Sequence, residues 1–247
     1  MLGRPVPGEL AAVIGRVGSL VETPLFFPAF SGRRNLGLLA RASDIPARRV
    51  EEMLELVDLR GRADDRVKNY SLGMKQRLGI AAALLKNPEL LILDEPGNGL
   101  DAAGIREVRE LIKRLGASGL TVLLSSHQLA EVQQVCDRVA IMSHGRVIAA
   151  GTVAELLAAG NTGDMLVGLD DLAAGGRVLV GAGFQVSAAD GRLRVGGVTD
   201  PAGVTRTLAG AGLYLTELSP VGADLETVFL QLTGTEPALA AAPGGGA

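Results

Sequence analysis

Two short aliphatic runs, each ending in polar residues, constrain this chain more than any other feature. Leu90-Leu91-Ile92-Leu93 leads straight into Asp94-Glu95-Pro96, and Leu120 to Leu124 leads into Ser125-Ser126-His127. The unbroken run Leu90 to Leu93 reads as a strand covered on both faces, the pattern of a parallel sheet, and Leu120 to Leu124 as another buried strand. Between the runs, Asp101 heads a helical segment in which Ile105, Val108, Ile112 and Leu115 share one face, and Gly116 to Gly119 forms a turn. Strand–helix–strand order places both sets of polar residues at the C-terminal ends of neighbouring strands, where open α/β sheets bind ligands.

The flanking sequence extends the same α/β pattern. The first thirty residues mix short apolar runs with Pro5, Pro7, Pro24 and Pro28, as loops and short strands do. A short helix is predicted from Ser31-Gly32 through Leu39. A second follows Pro46, with Val50, Met53, Leu54 and Val57 in one stripe. Asn69-Tyr70-Ser71 opens a helix that runs to about Lys86 and is stopped by Pro88. After His127 come a short helix over Gln128 to Cys136, then strands at Arg138 to Met142 and Arg146 to Ala149. Thr152 and Glu155 form a capping box for the next helix. The pattern lightens near Gly160. From there to Gly234 a small second α/β unit is expected, with strands near 165–169, 184–187, 193–195 and 214–218, a helix after Pro201, and a final segment at Leu225 to Leu232. Domains are therefore expected at 1–159 and 160–234. The Ala, Pro and Gly of 235–247 have almost nothing to bury and read as a disordered tail.

Composition removes several function classes. With 24 basic and 27 acidic side chains the net charge is −3, and the pI near 5.5 argues against a nucleic-acid binder. The longest charge-free stretch, Leu115 to Ala130, is 16 residues and contains Thr121, Ser125, Ser126, His127 and Gln128. It is too short and too polar to cross a bilayer, so no transmembrane segment is expected. One cysteine, Cys136, cannot form an internal disulfide and fits a reducing compartment. The 34 glycines, and an arginine excess that leaves only four lysines among 24 basic residues, read as a GC-rich genome.

Four local signals carry chemistry. Ser71-Leu72-Gly73-Met74-Lys75-Gln76 stands at a helix start, where a hydroxyl and free N–H groups suit a phosphate; alone it is equally an ordinary N-cap. Asp94 and Glu95 leave the end of a buried strand. In nucleotide hydrolases an Asp here holds Mg²⁺ and a following Glu can take the proton of an attacking water; a solvated acidic pair is the plain alternative. Asn98-Gly99-Leu100-Asp101 is a turn ending in an N-cap, and His127, structural if taken alone, ends the next strand on the same edge. Their order is more specific than the parts: Ser71 precedes Asp94 by 23 residues, and His127 follows Glu95 by 32.

This set resembles the ATP-binding subunits of ABC transporters. Ser71 to Gln76 matches a variant signature motif, Leu90 to Asp94 the Walker B strand with Glu95 after it, Asn98 to Asp101 the D-loop, and His127 the switch histidine. Within the family the chain looks closest to drug- and bacitracin-resistance exporter ATPases. Ser-Leu-Gly-Met-Lys-Gln, Val21-Glu22-Thr23-Pro24 with Ser31 and Asn35-Leu36, and Asp224-Leu225-Glu226 to Phe229 carry that closer match. The resemblance implies a P-loop NTPase fold with a helical signature subdomain and a small C-terminal α/β unit. It implies ATP and Mg²⁺ as ligands, Asp94 as the Mg²⁺ ligand through water, Glu95 as catalytic base and His127 on the γ-phosphate. Ser71 and Gly73, with Asp101 of the D-loop, would close on ATP held by a second cassette in a head-to-tail dimer. Glu22 stands where the family has its Q-loop glutamine. The implied partners are a second ATP-binding cassette and a membrane permease, which would place the protein at the cytoplasmic face of the cell membrane.

Leu72 and Met74 replace a glycine and a glutamine of the common signature, Gly97 stands where Ser or Thr is usual, and Ala102 replaces a proline. One departure is larger. The family's phosphate cradle, G-x-x-x-x-G-K-[ST], would lie upstream of all these motifs, yet none of the four lysines follows a glycine. We therefore expect Met1 to be an internal residue of a longer protein, whose missing part includes a strand, the P-loop and a helix. Two further readings stay open: a soluble ABC ATPase of translation or DNA repair, and a P-loop-less remnant that binds a partner without hydrolysing ATP.

Overall fold

The computed structural model describes residues 1–22 and 24–234, so the expected tail at 235–247 lies outside the described residues. The chain divides into two compact units, Met1–Val135 and Cys136 onward.

The first unit contains α1 (Leu10–Val13), β1 (Val17–Val21), α2 (Gly32–Ala42), α3 (Ala47–Leu56), α4 (Leu72–Leu84), β2 (Leu90–Asp94), α5 (Ala102–Ala117), β3 (Thr121–Ser125) and α6 (Leu129–Val135). The three strands form one parallel sheet in the order β1-β2-β3. Side chains start the helices. Ser31 Oγ accepts from Arg34 N (3.2 Å), Ser71 Oγ from Met74 N (3.2 Å) and Asp101 Oδ1 from Gly104 N (2.8 Å). The stripe read from sequence on α3 is the buried one: Val50, Met53, Leu54 and Val57 all lie in the core.

One face of the sheet, carrying Leu20, Leu91 and Leu93, packs into a single core with α2 to α5. Close approach there depends on two glycines. A Cβ on Gly18 of β1 would drive into the Ala83 carbonyl of α4. A Cβ on Gly79 of α4 would stand 2.9 Å from Leu20 Cδ1. The other face does not match the expectation of burial on both sides. Leu91 and Leu93 are fully buried, but Leu90 and Ile92 are only partly so, and on the same face Val21, opposite Asp94, and Leu123, opposite Ile92, are 64% and 58% exposed. The covering helices among the described residues pack on the Leu91–Leu93 side.

The second unit begins with an antiparallel hairpin, β4 (Arg138–Ser143) and β5 (Arg146–Thr152), followed by α7 (Val153–Gly160) on its Thr152–Glu155 capping box. Then come β6 (Met165–Gly168), α8 (Leu172–Gly181), β7 (Gln185–Ala189), β8 (Arg192–Gly196), α9 (Pro201–Gly210), β9 (Glu217–Pro220) and α10 (Leu225–Gly234). Strands β6 to β9 form an antiparallel sheet in the order β7-β8-β6-β9. With a helix after β6 and another after β8, this is the split βαβ arrangement of ferredoxin-like units. Val167, Leu179, Val195, Val204 and Leu208 are its fully buried centre. Helix α10 packs on α7, where a Cβ at Gly160 would collide with Val228. Sequence patterning did not show α8, whose Gly175, Gly176 and Gly181 hide its propensity; its Asp171 cap, accepting from Ala174 N at 2.8 Å, was the local signal. The last strand lies three residues beyond the expected start, and Tyr214 is exposed.

Candidate functional site

The parallel register brings the strand ends level. Val21, Asp94 and Ser125 are neighbours across β1, β2 and β3, so Glu22, Glu95 and His127 emerge along one edge. Glu22 and Glu95 both follow their strands with a left-handed backbone, φ 51° and 47°. Asp, Asn and His tolerate that region more readily than Glu, so a strained Glu at two adjacent strand ends marks a constrained site.

At this edge the side chains interlock. His127 Nδ1 lies 2.9 Å from Glu95 Oε2, with His127 largely exposed and Glu95 only partly so. Ser125 Oγ donates to Asp94 Oδ1 and accepts from Glu95 N at 3.2 Å, while Ser125 O also accepts from Glu95 N at 3.2 Å. One serine thus holds the first carboxylate by its hydroxyl and the turn at the second by both its hydroxyl and its carbonyl. Sequence reasoning missed Ser125 in this role; its place as the polar residue opposite Asp94 in the next strand was the available signal. The donors at the edge are carboxylate and hydroxyl oxygens, the hard set that suits Mg²⁺ completed by water and phosphate. Among the described residues no cluster of three or more His, Cys, Asp or Glu side chains could hold a metal ion.

A second group forms where α4 and α5 begin. Gly73 is buried, and a Cβ there would meet Gly104 Cα of α5 at 3.6 Å. A Cβ on Gly99, in the turn before Asp101, would reach Leu72 Cδ2 at 3.2 Å. Ser71, Gly73 and Asp101 are therefore neighbours at one end of the helix pair. The turn is tied to the first group through Asn98 N to Glu95 O at 3.0 Å. Among the described residues, no hydrogen bond joins the side chains of Ser71 or Asp101 to Asp94, Glu95 or His127. The sequence-selected residues thus form two groups joined by one short loop. In the present fold Ser71 and Asp101 act as helix caps.

Comparison with known proteins bears on the family. The ABC transporter family profile matches residues 3–98. The bacitracin transport ATP-binding protein BcrA of Enterococcus faecalis is 34% identical over 239 residues, covering 95% of this chain and 77% of that protein. The daunorubicin resistance ATP-binding protein DrrA3 of Streptomyces coeruleorubidus is 38% identical over 245 residues, again 95% and 77%. An uncharacterized ABC transporter ATP-binding protein of Bacillus subtilis, YhcH, is 46% identical over 148 residues, and the chain spans about half its length (48%). A solved ATP-binding subunit of an ABC transporter superposes with TM-score 0.53 at 30% identity, covering 64% of this chain and 68% of the other. The fold is that of the P-loop NTPases of this class. Among the described residues no helix is long and apolar enough to cross a membrane. Register, strand-end chemistry and likeness along nearly the whole chain converge on one assignment: this protein belongs to the ATP-binding subunits of ABC transporters.

Proposed function

We propose that the chain works in an exporter of drugs or antibiotics, coupling ATP hydrolysis to a separate membrane permease at the cytoplasmic face. The names of the bacitracin- and daunorubicin-related proteins support the substrate class. The hydrogen-bonded set Asp94–Ser125–Glu95–His127 carries the chemical reading. Asp94 would hold Mg²⁺ through water, with Ser125 fixing its Oδ1 oxygen. Mg²⁺, when bound, neutralises charge on the phosphoryl oxygens. Glu95 accepts the proton of a water that attacks the γ-phosphorus, and ADP leaves as the bond to the γ-phosphate breaks. His127 orients the Glu95 carboxylate and stands next to the γ-phosphate. Ser71, Gly73 and Asp101 face the nucleotide of a second cassette, which accounts for their separation from the first group. Glu22 links the Mg²⁺ edge to the permease.

The test is Glu95→Gln in the protein assembled with its permease. Nucleotide binding persists while hydrolysis falls about 10²–10⁴-fold, the contribution of a general base; undiminished turnover rejects the assignment. A second reading is a P-loop-less remnant, in which this chain lends Ser71 to a partner's ATP and hydrolyses none itself. Photo-crosslinking of ATP separates the two: labelling of this chain only when a second cassette is present supports the second reading.

A further inference from the structure

Among the described residues strand β7 is an edge, hydrogen-bonded only to β8. The hairpin that joins them turns through Asp190 and Gly191, both with positive φ (45° and 73°). Such a two-residue turn makes Ala189 and Arg192 a hydrogen-bonded pair, and the ladder then alternates. Ser187 and Gln185 also bond inward, so the N–H and C=O groups of Val186 and Ala188 point outward. No loop or helix bonds these groups among the described residues. Natural edges are blunted by charges, prolines or bulges, whereas Gln185-Val186-Ser187-Ala188-Ala189 has no charge and no proline, and its register is unbroken.

Beside this edge runs a cleft of about 370 Å³, walled by α8 on one side and by Val186 and Ala188 on the other. Its breadth comes from small residues. Ala173 and Gly176 face it from α8, and a Cβ on Gly176 would only touch Leu193 at 3.8 Å. Val180, at its rim, is 58% exposed. The cleft wall carries one charge, Arg177, which has no ion pair or hydrogen bond among the described residues.

We propose that this cleft is a docking groove for an extended, carboxylate-bearing segment of a partner polypeptide, which joins the sheet as a fifth strand beside β7. The outward backbone groups of Val186 and Ala188 supply main-chain pairing, and alternate side chains of the incoming strand enter the cleft. Small walls suit side chains of alanine to valine size. Arg177 selects a carboxylate at one cleft-facing position. Charge also argues against a second copy of β7 as occupant, since that strand has no carboxylate to meet Arg177.

The test uses the full 247-residue chain and fluorescein-labelled hexapeptides with Val at alternate positions and Thr between. Glu is scanned through the Val positions, and a matched set carries Lys instead. Anisotropy gives saturable binding, with at least one Glu peptide about tenfold tighter than its Lys counterpart. Arg177→Gln erases that ratio, and Gly176→Leu, which fills the cleft, weakens binding about tenfold. Ala188→Pro does the same by removing only an outward N–H. Thermal unfolding of each variant checks that it is folded, and the Glu/Lys comparison needs no variant at all. Absence of saturable binding overturns the proposal, as does binding that Gly176→Leu and Ala188→Pro leave unchanged. So does self-association that Ala188→Pro abolishes without any peptide binding, which would assign the edge to a second copy.

Discussion

Gly18→Ala is the sharpest perturbation of the first unit. Gly18 lies in β1 where α4 crosses it, and an added Cβ would stand 3.0 Å from the Ala83 carbonyl carbon and 3.1 Å from Pro88 Cγ, closer still to the Ala83 oxygen. Ordinary contact begins at 3.4 Å. The obstruction is helix backbone, which cannot rotate away as a side chain can, so β1 and α4 must separate by about 1 Å along the whole contact. Overpacking of this kind costs about 1–3 kcal/mol, and a backbone clash belongs at the upper end. Against a total of about 5–15 kcal/mol that is a large share. Urea unfolding followed by far-ultraviolet circular dichroism is the assay, with Gly116→Ala as control. Gly116 lies inside α5 with nothing within 4 Å of its Cβ position, so alanine there stabilises by about 0.5–1 kcal/mol. The two changes should move the midpoint in opposite directions. Since Ser71 caps α4 and β1 ends next to Glu22, Gly18→Ala should also weaken nucleotide binding. A midpoint that Gly18→Ala leaves unchanged or raises would refute the claim that glycine sets the β1–α4 distance.

Ser125→Ala removes the hydroxyl that holds Asp94; the Mg²⁺ concentration needed for half-maximal nucleotide binding should rise about 10–100-fold, with Ser125→Thr restoring it. Asn35 is buried and grips the Phe27–Ser31 segment, accepting from Phe27 N at 2.9 Å and donating to Phe27 O and Ser31 O at 3.1 and 3.0 Å. Asn35→Leu should cost about 1–3 kcal/mol by stranding these groups, and limited proteolysis should cut that segment first. In the second unit, burial pushes the Asp164 carboxyl up, but the Gly197 N–H, the Arg194 guanidinium and the Thr162 side chain outweigh it and hold it below the ordinary 3.8. Its stabilisation is therefore complete above pH 3.8 and is lost as pH falls through the lower folded value. Asp164→Asn should destabilise by about 1–3 kcal/mol near neutral pH, and the deficit should shrink below about pH 4, as followed by acid-dependent thermal unfolding.

Local residues alone determined a good part of this protein. The stripe on α3 and the caps Ser31, Ser71, Asp101 and Thr152 each work through their own or neighbouring turns, so spacing in the chain is enough to read them. The ends of β2 and β3 were legible for the same reason: an aliphatic run stops where a carboxylate or hydroxyl begins. Spacing does not encode which strands become neighbours or in what register. Only the packed sheet set Ser125 opposite Asp94 and His127 within 2.9 Å of Glu95, across 30 or more residues of chain. Burial too belongs to the assembled layers: Leu91 and Ile92 are alike in sequence, yet the helices on one side seal the first and leave the second partly open. The left-handed turn at Glu95 is tertiary in origin as well, because nothing local favours that backbone for a glutamate. Side-chain chemistry and helix periodicity are local properties, whereas register, cover and strain arise only when distant segments meet.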